Sequence, residues 1–261
     1  MSRDAEYHNR PEWSYSQMKN IITHDIDWAV AAKRKMFNGE LEPSGKFIDL
    51  GELAHMFVLG GDADIFVVTP YSDFRTKEAR EWKAEQLALG KTIVTKSQYD
   101  AIAQIVDNIE NHPMSKKLLK GDNVKHEIEM YATADGVKLR GKADALLING
   151  DSIILTDVKT TAQFDDWKYK SMRKHYDLQA ALYSLIGAAS QKVSPSSANF
   201  YFCVVETVAP FRVQYHHASL EFLEHGETKL ATCLKAIKEF GDREPNFLIE
   251  EVNELGDFSL G

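Results

Sequence analysis

Hydrophobic residues recur at helical spacing through the first sixty positions of the chain. Over 14–37 the apolar residues fall three or four positions apart, and they are Met18, Ile21, Ile22, Ile26 and Ala29. The pattern predicts a helix that begins at Ser14, an N-cap residue type, and breaks near His24 and Asp25. A second helix is predicted over 49–59, where Gly60-Gly61 would end it.

Short apolar runs separated by turn residues follow in the middle of the chain. Strands are predicted at 126–132, 137–148 and 152–158, and the turn signals between them, Asp135-Gly136 and Asn149-Gly150-Asp151, indicate an antiparallel meander. The other predicted elements are a strand at 65–69, a mostly helical stretch at 76–120 interrupted at Gly90 and Pro113, a helix at 175–189, strands at 198–205 and 211–216, and a helix at 219–240. The strand at 198–205 shows no alternation, so we expect it to be buried on both faces.

These elements predict a single α/β domain over 1–261, with a core at about 120–216 and a helical N-terminal part at 14–120. Of its 261 residues, 44% are hydrophobic and 27% charged, which is an ordinary soluble composition. The longest apolar run, 200–205, is far shorter than the ~18 residues of a membrane span. The first thirty residues fit no secretory signal, so a cytoplasmic location without a membrane partner is expected. Two cysteines, Cys203 and Cys233, are too few for a disulfide framework or a four-cysteine metal site.

The charge balance points away from a nucleic-acid partner. The chain has 31 Lys and Arg residues against 39 Asp and Glu residues, a net charge of −8. Proteins that bind the phosphate backbone usually carry a basic footprint. Total charge does not say where the charges lie, so this class of partner stays open.

Two aspartates and a lysine mark two of the predicted strands. Asp144 lies in 141–145 (GKADA), and Asp157 and Lys159 lie in 156–160 (TDVKT). If these strands are neighbours, the two carboxylates converge, and they repel each other unless a cation such as Mg²⁺ lies between them. Asp157 and Lys159 are two positions apart and leave the strand on the same face. The lysine could then orient a water molecule or stabilise the charge of a phosphodiester under attack.

A surface ion pair is the alternative interpretation of an Asp-x-Lys pattern on a strand, and it is the usual one. The apolar residues at 146–148 and 153–155 change the balance. Charge at the rim of buried strands is costly without a purpose, so the setting favours a functional site.

With these residues in this order, the chain resembles the PD-(D/E)xK nuclease superfamily, and in particular its exodeoxyribonuclease VIII (RecE-like) branch. Ala143 stands where the motif name has proline. The resemblance extends over about 14–215, is most specific at 141–183, and includes 90–99, which is similar to the helical insert of the family. It implies a restriction-endonuclease-like α/β fold, with a central mixed β-sheet flanked by helices and with helical additions at both ends.

Further residues match the family outside that motif. Gln179 and Tyr183 are similar to its Gln-x-x-x-Tyr element, in which the glutamine faces the metal site; core packing is the alternative, above all for Tyr183. His55 matches the upstream helical histidine that contributes to metal binding, although a lone histidine on an apolar helix is more often a core residue. Glu52, one turn earlier, is a second-rank candidate.

Two segments are candidates for contact with DNA. Residues 14–19 (SYSQMK) resemble the Ser-x-Ser-x-Leu-Lys opening of these exonucleases, and a helix start with Ser14, Ser16 and Lys19 suits a 5′ phosphate; a simple N-cap is the alternative. A basic strip interleaved with Trp167 and Tyr169 is expected to face DNA, and it consists of Lys168, Lys170, Arg173, Lys174 and His175. Thr160 is also expected to contact DNA. The basic residues at 33–35 and 116–120 are interpreted as solvated surface.

The resemblance implies a Mg²⁺-dependent exodeoxyribonuclease that degrades linear duplex DNA 5′ to 3′ and leaves 3′ single strands for phage-type recombination by annealing. The implied catalytic residues are Asp144, Asp157, Lys159 and Gln179. The implied ligands of a two-metal site, which Mn²⁺ could also occupy, are His55, Asp144, Asp157 and the Val158 carbonyl, with Tyr183 in support. A ring-shaped homo-oligomer, a single-strand annealing partner and the cytoplasm of a bacterial or phage-infected cell are also implied.

Two alternatives stay open. One is a RecB-like or Cas4-like nuclease of different polarity or with endonuclease activity, excluding members with an iron-sulfur cluster because the chain has two cysteines. The other is a catalytically inactive module that binds DNA ends, against which the joint presence of Asp144, Asp157, Lys159 and Gln179 argues.

Overall fold

The computed structural model describes residue 7 and residues 9–37, 50–59 and 66–246. The described α-helices are Tyr15–Thr23 (α1), Ile26–Phe37 (α2), Leu50–Val58 (α3), Lys77–Ala88 (α4), Lys96–Asn111 (α5), Pro113–Leu118 (α6), Trp167–Arg173 (α7), Tyr176–Gln191 (α8) and Leu220–Phe240 (α9). The described strands are Phe66–Val68 (β1), Thr92–Val94 (β2), Val124–Ala134 (β3), Val137–Asn149 (β4), Ser152–Thr161 (β5), Ala198–Glu206 (β6) and Val213–His217 (β7).

Five strands form a mixed sheet in the order β3-β4-β5-β6-β7. Strands β3, β4 and β5 pair antiparallel through turns at Gly136 and Gly150, which have φ angles of 82° and 59° that favour glycine. This confirms the predicted meander. Strand β6 returns parallel to β5 after α7 and α8, and β7 pairs antiparallel with β6. The predicted α/β architecture, a central mixed sheet flanked by helices, is therefore confirmed.

Strand β6 is buried by cores on both faces of the sheet, as its lack of alternation predicted. Phe200, Phe202 and Val204 belong to the core that includes residues of α1, α2, α8 and α9. Cys203 and Val205 belong to the core that includes residues of α3 and α5. The sheet therefore holds helix α3 on one face and helix α8 on the other.

Helix α9 packs closely against the N-terminal turn of α8. At Gly226 a Cβ atom would lie 2.1 Å from the carbonyl oxygen of Asp177, so the helices approach at a distance that only glycine permits. The buried carboxylate of Asp177 lies 2.8 Å from Lys229 Nζ and also contacts His225. These contacts fix the turn of α8 that carries Gln179.

The helix predicted over 14–37 breaks between α1 and α2 at His24 and Asp25, as expected. The stretch 76–120 is less helical than predicted, because β2 lies inside it and pairs parallel with β1. Part of the supposed helical insert at 90–99 is therefore a strand. Pro113 begins α6, since His112 is both the C-cap of α5 and the N-cap of α6.

The glycines at 60–61, predicted to end the second helix, and the residues beyond 246 lie outside the described residues. Within the described ranges, no helix combines the length and apolar character needed to cross a membrane.

Candidate active site

Strands β4 and β5 diverge at the two aspartates. Their ladder runs from Asn149 paired with Ser152 to Ala145 paired with Thr156, and the next positions in this register are Asp144 and Asp157. Residues directly opposite on antiparallel strands have neighbouring side chains.

Beyond this point β4 has a different neighbour. The backbone N–H of Trp13 donates to the Lys138 carbonyl, and the N–H of Arg140 donates to the Trp13 carbonyl, both at 2.9 Å. The segment before α1 thus enters the gap between the diverging strands. The start of α1 is thereby placed on the side of β4 that faces β5, where the charge of Asp157 contributes to the raised pKa of Tyr15.

Asp144 links β4, β5 and α3. Its Oδ2 accepts the backbone N–H of Val158 at 2.7 Å and lies 3.0 Å from His55 Nε2. Burial would lower the pKa of His55, but the hydrogen bond to Asp144 and the charges of Asp144 and Asp157 outweigh burial and raise it. His55 is therefore held at the site by negative charge, where a metal ion could take the place of its proton.

Asp157 lies at the centre of the site. Its Oδ2 is 2.6 Å from Lys159 Nζ, and its Oδ1 accepts a hydrogen bond of 2.6 Å from Gln179 Nε2 on α8. Burial raises the pKa of Asp157 to about 6, and the charge of Asp144 adds to this rise although Lys159 opposes it. The carboxylate therefore needs more positive charge than Lys159 supplies to stay ionised without cost.

Lys159 is held between Asp157 and an aromatic ring. Its Nζ lies 4.7 Å from the centre of the Tyr176 ring. Burial would lower the pKa of Lys159, but the negative charge of Asp157 prevails and raises it, so the ammonium group stays charged. We did not predict Tyr176 at the site, although it lies one helical turn before Gln179 and so shares its face.

We call the point where β4 and β5 diverge, at Asp144 and Asp157, the fork. The oxygen atoms at the fork fit a hard divalent cation. Among the described residues, Asp144 Oδ1 and the buried Gln179 Oε1 have no hydrogen-bond partner. No group of three or more His, Cys, Asp and Glu side chains in the described ranges is arranged to hold a metal ion. As they stand, the predicted ligands His55, Asp144 and Asp157 therefore do not form such a group. One or two carboxylates with several waters are the ligands that Mg²⁺ usually takes, and Asp144 and Asp157 could supply the carboxylates.

Lysines gather beside the start of α1. Tyr15 Oη donates to the Lys174 carbonyl at 2.6 Å, which ties α1 to the end of α7. Burial lowers the pKa of Lys19, and the positive charges of Lys174 and Lys159 lower it further. The structure thus brings Lys19 and Lys174 close to Lys159, where the three charges attract an anion. The hydroxyls of Ser14 and Ser16 at the same helix start lie 3.0 Å apart.

The rest of the predicted DNA-contacting set lies on or next to α7. Lys170 Nζ donates to Thr161 Oγ1 at 2.8 Å, which ties α7 to the end of β5. Arg173 is exposed, and Thr160 is partly buried next to Lys159. His175, with a φ angle of 57°, precedes α8 and places its Nδ1 3.0 Å from Lys229 Nζ. It therefore contributes to the α8–α9 junction.

Tyr183 is buried under β4 and packs edge-on against Phe200, with ring centres 6.2 Å apart. A Cβ atom at Gly141 would lie 2.9 Å from the Tyr183 ring, so β4 passes directly over it. Tyr183 thus supports the strand three residues before Asp144.

The sequence did not predict one acidic neighbour of the site, Glu127. Glu127 adopts a φ angle of 54°, pairs with Lys142 and contributes to the raised pKa of His55. Nothing in the alternating sequence distinguishes Glu127 from Glu129. The side chain of Glu52 lies outside the described part of the chain.

Replacing Gln179 by alanine is expected to lower the nuclease activity that the sequence predicts about 10- to 100-fold, because Gln179 orients the Asp157 carboxylate. Initial rates of DNA degradation measure the effect. Ser184→Ala is the matched control, since Ser184 is buried on the same helix and its Oγ has no partner among the described residues. Equal rates in both variants would contradict a role for the amide.

Replacing Asp157 by asparagine leaves Lys159 without its carboxylate partner, which costs stability at every pH in this range. In the metal-free protein, the free energy of unfolding of the variant relative to wild type is nevertheless expected to rise as pH rises from about 4 to about 6. The pKa of Asp157 is raised from 3.8 to about 6, so its protonated form contributes stability that is lost as pH rises through that range. Asparagine does not titrate. Urea unfolding of both proteins in EDTA measures the difference; a difference that does not vary with pH would contradict the prediction.

A mixed sheet between helices, with two aspartates and a lysine where two strands diverge, defines the PD-(D/E)xK class of proteins. The comparison with known families agrees with this class. The chain belongs to the family described as "PDDEXK-like domain of unknown function (DUF3799)", whose model matches residues 14–246.

Two proteins of known description are similar to this chain. An ATP-dependent helicase/nuclease subunit of Listeria innocua serovar 6a is 26% identical over 212 residues, covering 74% of this chain and 17% of that protein. The chain thus spans about a sixth of the relative's length. The crystal structure of a "Putative exonuclease" from Eubacterium rectale aligns with a TM-score of 0.61 and 14% identity over 97% of this chain and 96% of that chain, which shows a shared fold. PD-(D/E)xK nucleases generally depend on a divalent metal ion.

Proposed function

We propose that this protein is a Mg²⁺-dependent exodeoxyribonuclease that degrades linear double-stranded DNA from its ends. The observation that carries the proposal is the convergence of Asp144, Asp157 and Lys159 at the fork between β4 and β5. The 2.6 Å hydrogen bond from Gln179 to Asp157 adds the fourth residue of the predicted catalytic set.

The residues divide into metal ligands and groups that act on water and phosphate. His55, Asp144, Asp157 and the Val158 carbonyl would hold one or two Mg²⁺ ions, and Mn²⁺ could replace them. A bound divalent ion supplies a Lewis acid and lowers the pKa of a water molecule. Lys159 orients the attacking water and stabilises the negative charge that develops on the phosphate. Gln179 holds Asp157 in position.

The start of α1 would bind the 5′ phosphate of the DNA end. Lys19 and Lys174 supply positive charge close to Lys159, and Ser14 and Ser16 supply hydroxyl groups. A 5′ phosphate bound there would place the first phosphodiester near the fork, which favours degradation 5′ to 3′. Thr160, Lys170 and Arg173 would contact the backbone nearby, and together these cations give a net acidic chain a local basic surface.

The resemblance to recombination exonucleases supports a wider setting. In it, 3′ single strands are left for annealing, a homo-oligomeric ring surrounds the DNA and a single-strand annealing protein accepts the product. The cytoplasm of a bacterial or phage-infected cell is the proposed location. The similarity to a helicase/nuclease subunit favours a second candidate, a RecB-like nuclease of different polarity.

A digest with strand-specific labels tests the proposal. Linear duplex labelled internally near one 5′ end or one 3′ end is incubated with the protein and Mg²⁺, beside a closed circle and an EDTA control. We expect release of the 5′-proximal label first, an intact circle and no digestion in EDTA. Earlier release of the 3′-proximal label would favour the RecB-like candidate, and cleavage of the circle an endonuclease. Binding without cleavage in any divalent ion would favour the inactive module.

A further inference from the structure

An aromatic ring stands exposed close to the candidate active site. Tyr169 on α7 is 76% exposed, the largest exposure among the large hydrophobic side chains of the described residues. A single exposed aromatic residue is ordinary on a protein surface. The position of this one sets it apart, because the helix that carries it is tied through Lys170 to Thr161, two residues after Lys159.

Helix α7 is anchored by its first residue. Trp167 is only 5% exposed, stacks on Tyr176 with ring centres 5.4 Å apart and meets Phe202 edge-on at 5.8 Å. Tyr176 is the ring that lies beneath Lys159 Nζ. The chain of contacts from Trp167 through Tyr176 to Lys159 therefore holds α7 in place relative to the site.

The same helix geometry directs Tyr169 outward. Residues two positions apart on a helix are separated by about 200° of rotation, so Tyr169 lies on the side opposite to the buried Trp167. Arg173, four residues later, shares the exposed face with Tyr169, while Lys170 reaches back to Thr161 at the end of β5. The outer face of α7 thus combines a rigid aromatic ring with a guanidinium group.

A ring among cations is the chemistry that binds exposed nucleobases. Basic side chains follow the phosphates, while aromatic rings stack on bases of any sequence. The basic neighbours of Tyr169 on and after α7 are Lys168, Lys170, Arg173 and Lys174. The exposed ring is therefore available to an unstacked base of a DNA end whose phosphates these cations hold.

We propose that Tyr169 is a nucleobase-stacking site, which holds an unstacked base of the DNA end while the cations of α7 hold its backbone. The proposal rests on the proposed function, since it takes DNA as the substrate. It adds a substrate-positioning residue outside the catalytic set.

Binding of a DNA end to three variants, measured in EDTA so that no cleavage occurs, tests the site. Fluorescence anisotropy gives the Kd, and 2-aminopurine at the terminal or penultimate position of either strand reports stacking by its quenching. Tyr169→Ala is expected to raise the Kd about tenfold and to abolish quenching at one position. Tyr169→Phe should retain both wild-type values. Tyr99→Ala, which removes a 43% exposed tyrosine beside Lys96 on α5, is the matched control and should change neither.

Three outcomes would overturn the stacking site. In the first, Tyr169→Ala binds and quenches like wild type. In the second, Tyr169→Phe fails as Tyr169→Ala does, which would assign the effect to the hydroxyl group. In the third, Tyr99→Ala shows the same loss. Each of these results is compatible with metal-dependent degradation by the wild-type protein. Absence of DNA degradation by wild type, with stacking intact, would overturn the proposed function alone.

Discussion

Replacement of Lys159 by methionine is expected to slow degradation of linear duplex DNA about a thousandfold. Methionine keeps an unbranched apolar side chain in the same space but removes the ammonium group that lies 2.6 Å from Asp157 Oδ2. Without that charge, no side chain at this position orients the attacking water or stabilises the charge on the phosphate. Initial rates at saturating DNA and Mg²⁺ measure the effect.

Lys96→Met is the matched control for Lys159→Met. Lys96 is an exposed lysine on α5 that pairs with Asp100, so its loss should leave the rate unchanged. Circular dichroism and thermal melting establish that both variants are folded. A folded Lys159→Met protein with a rate within a few-fold of wild type would contradict the role of the lysine.

Replacement of Asp144 by asparagine is expected to lower the rate of DNA degradation about a thousandfold, as for Lys159→Met, but for a different reason. Asparagine retains an oxygen that can accept the backbone N–H of Val158, so the connection between β4 and β5 survives. The negative charge beside His55 and Asp157 is lost. Metal binding should therefore weaken together with the rate.

Metal titration separates the two variants. Isothermal titration with Mn²⁺ is expected to show at least about tenfold weaker binding to Asp144→Asn than to wild type, because a carboxylate ligand is gone. Lys159→Met should bind Mn²⁺ as tightly as wild type or more tightly, since it removes a competing cation. Unchanged metal affinity in Asp144→Asn would show that Asp144 is not a ligand.

Much of the sheet could be predicted because its signals are local. The turns at Asp135-Gly136 and Asn149-Gly150 specify a meander, and the unbroken apolar strand at 198–205 specifies burial on both faces. The strand Thr92–Val94 was missed because three residues are too few to show alternation, and its partner is distant in the sequence. Helix α7 was missed because it is short and its exposed face is basic rather than periodic.

The residues of the candidate site also divide into those with local sequence signals and those placed by contacts between distant parts of the chain. Asp144, Asp157 and Lys159 could be placed together from strand parity and a single turn. The entry of Trp13 into the gap beside β4 could not, since it joins residues more than a hundred positions apart. His55 carried no local signal on its apolar helix, and only the resemblance to known nucleases selected it. Tyr176 was within reach, because one helical turn separates it from Gln179.

The most direct measurement is the loss of linear duplex DNA over time. It compares wild type with a double variant that carries Asp157→Ala and Lys159→Ala. Each protein is assayed in Mg²⁺, in EDTA and after Mg²⁺ is restored. If hydrolysis takes place at the fork between β4 and β5, wild type degrades DNA only when Mg²⁺ is present. The folded double variant then degrades no DNA under any of these conditions. Degradation that persists in EDTA, or that persists in the double variant, would contradict the assignment of hydrolysis to this site.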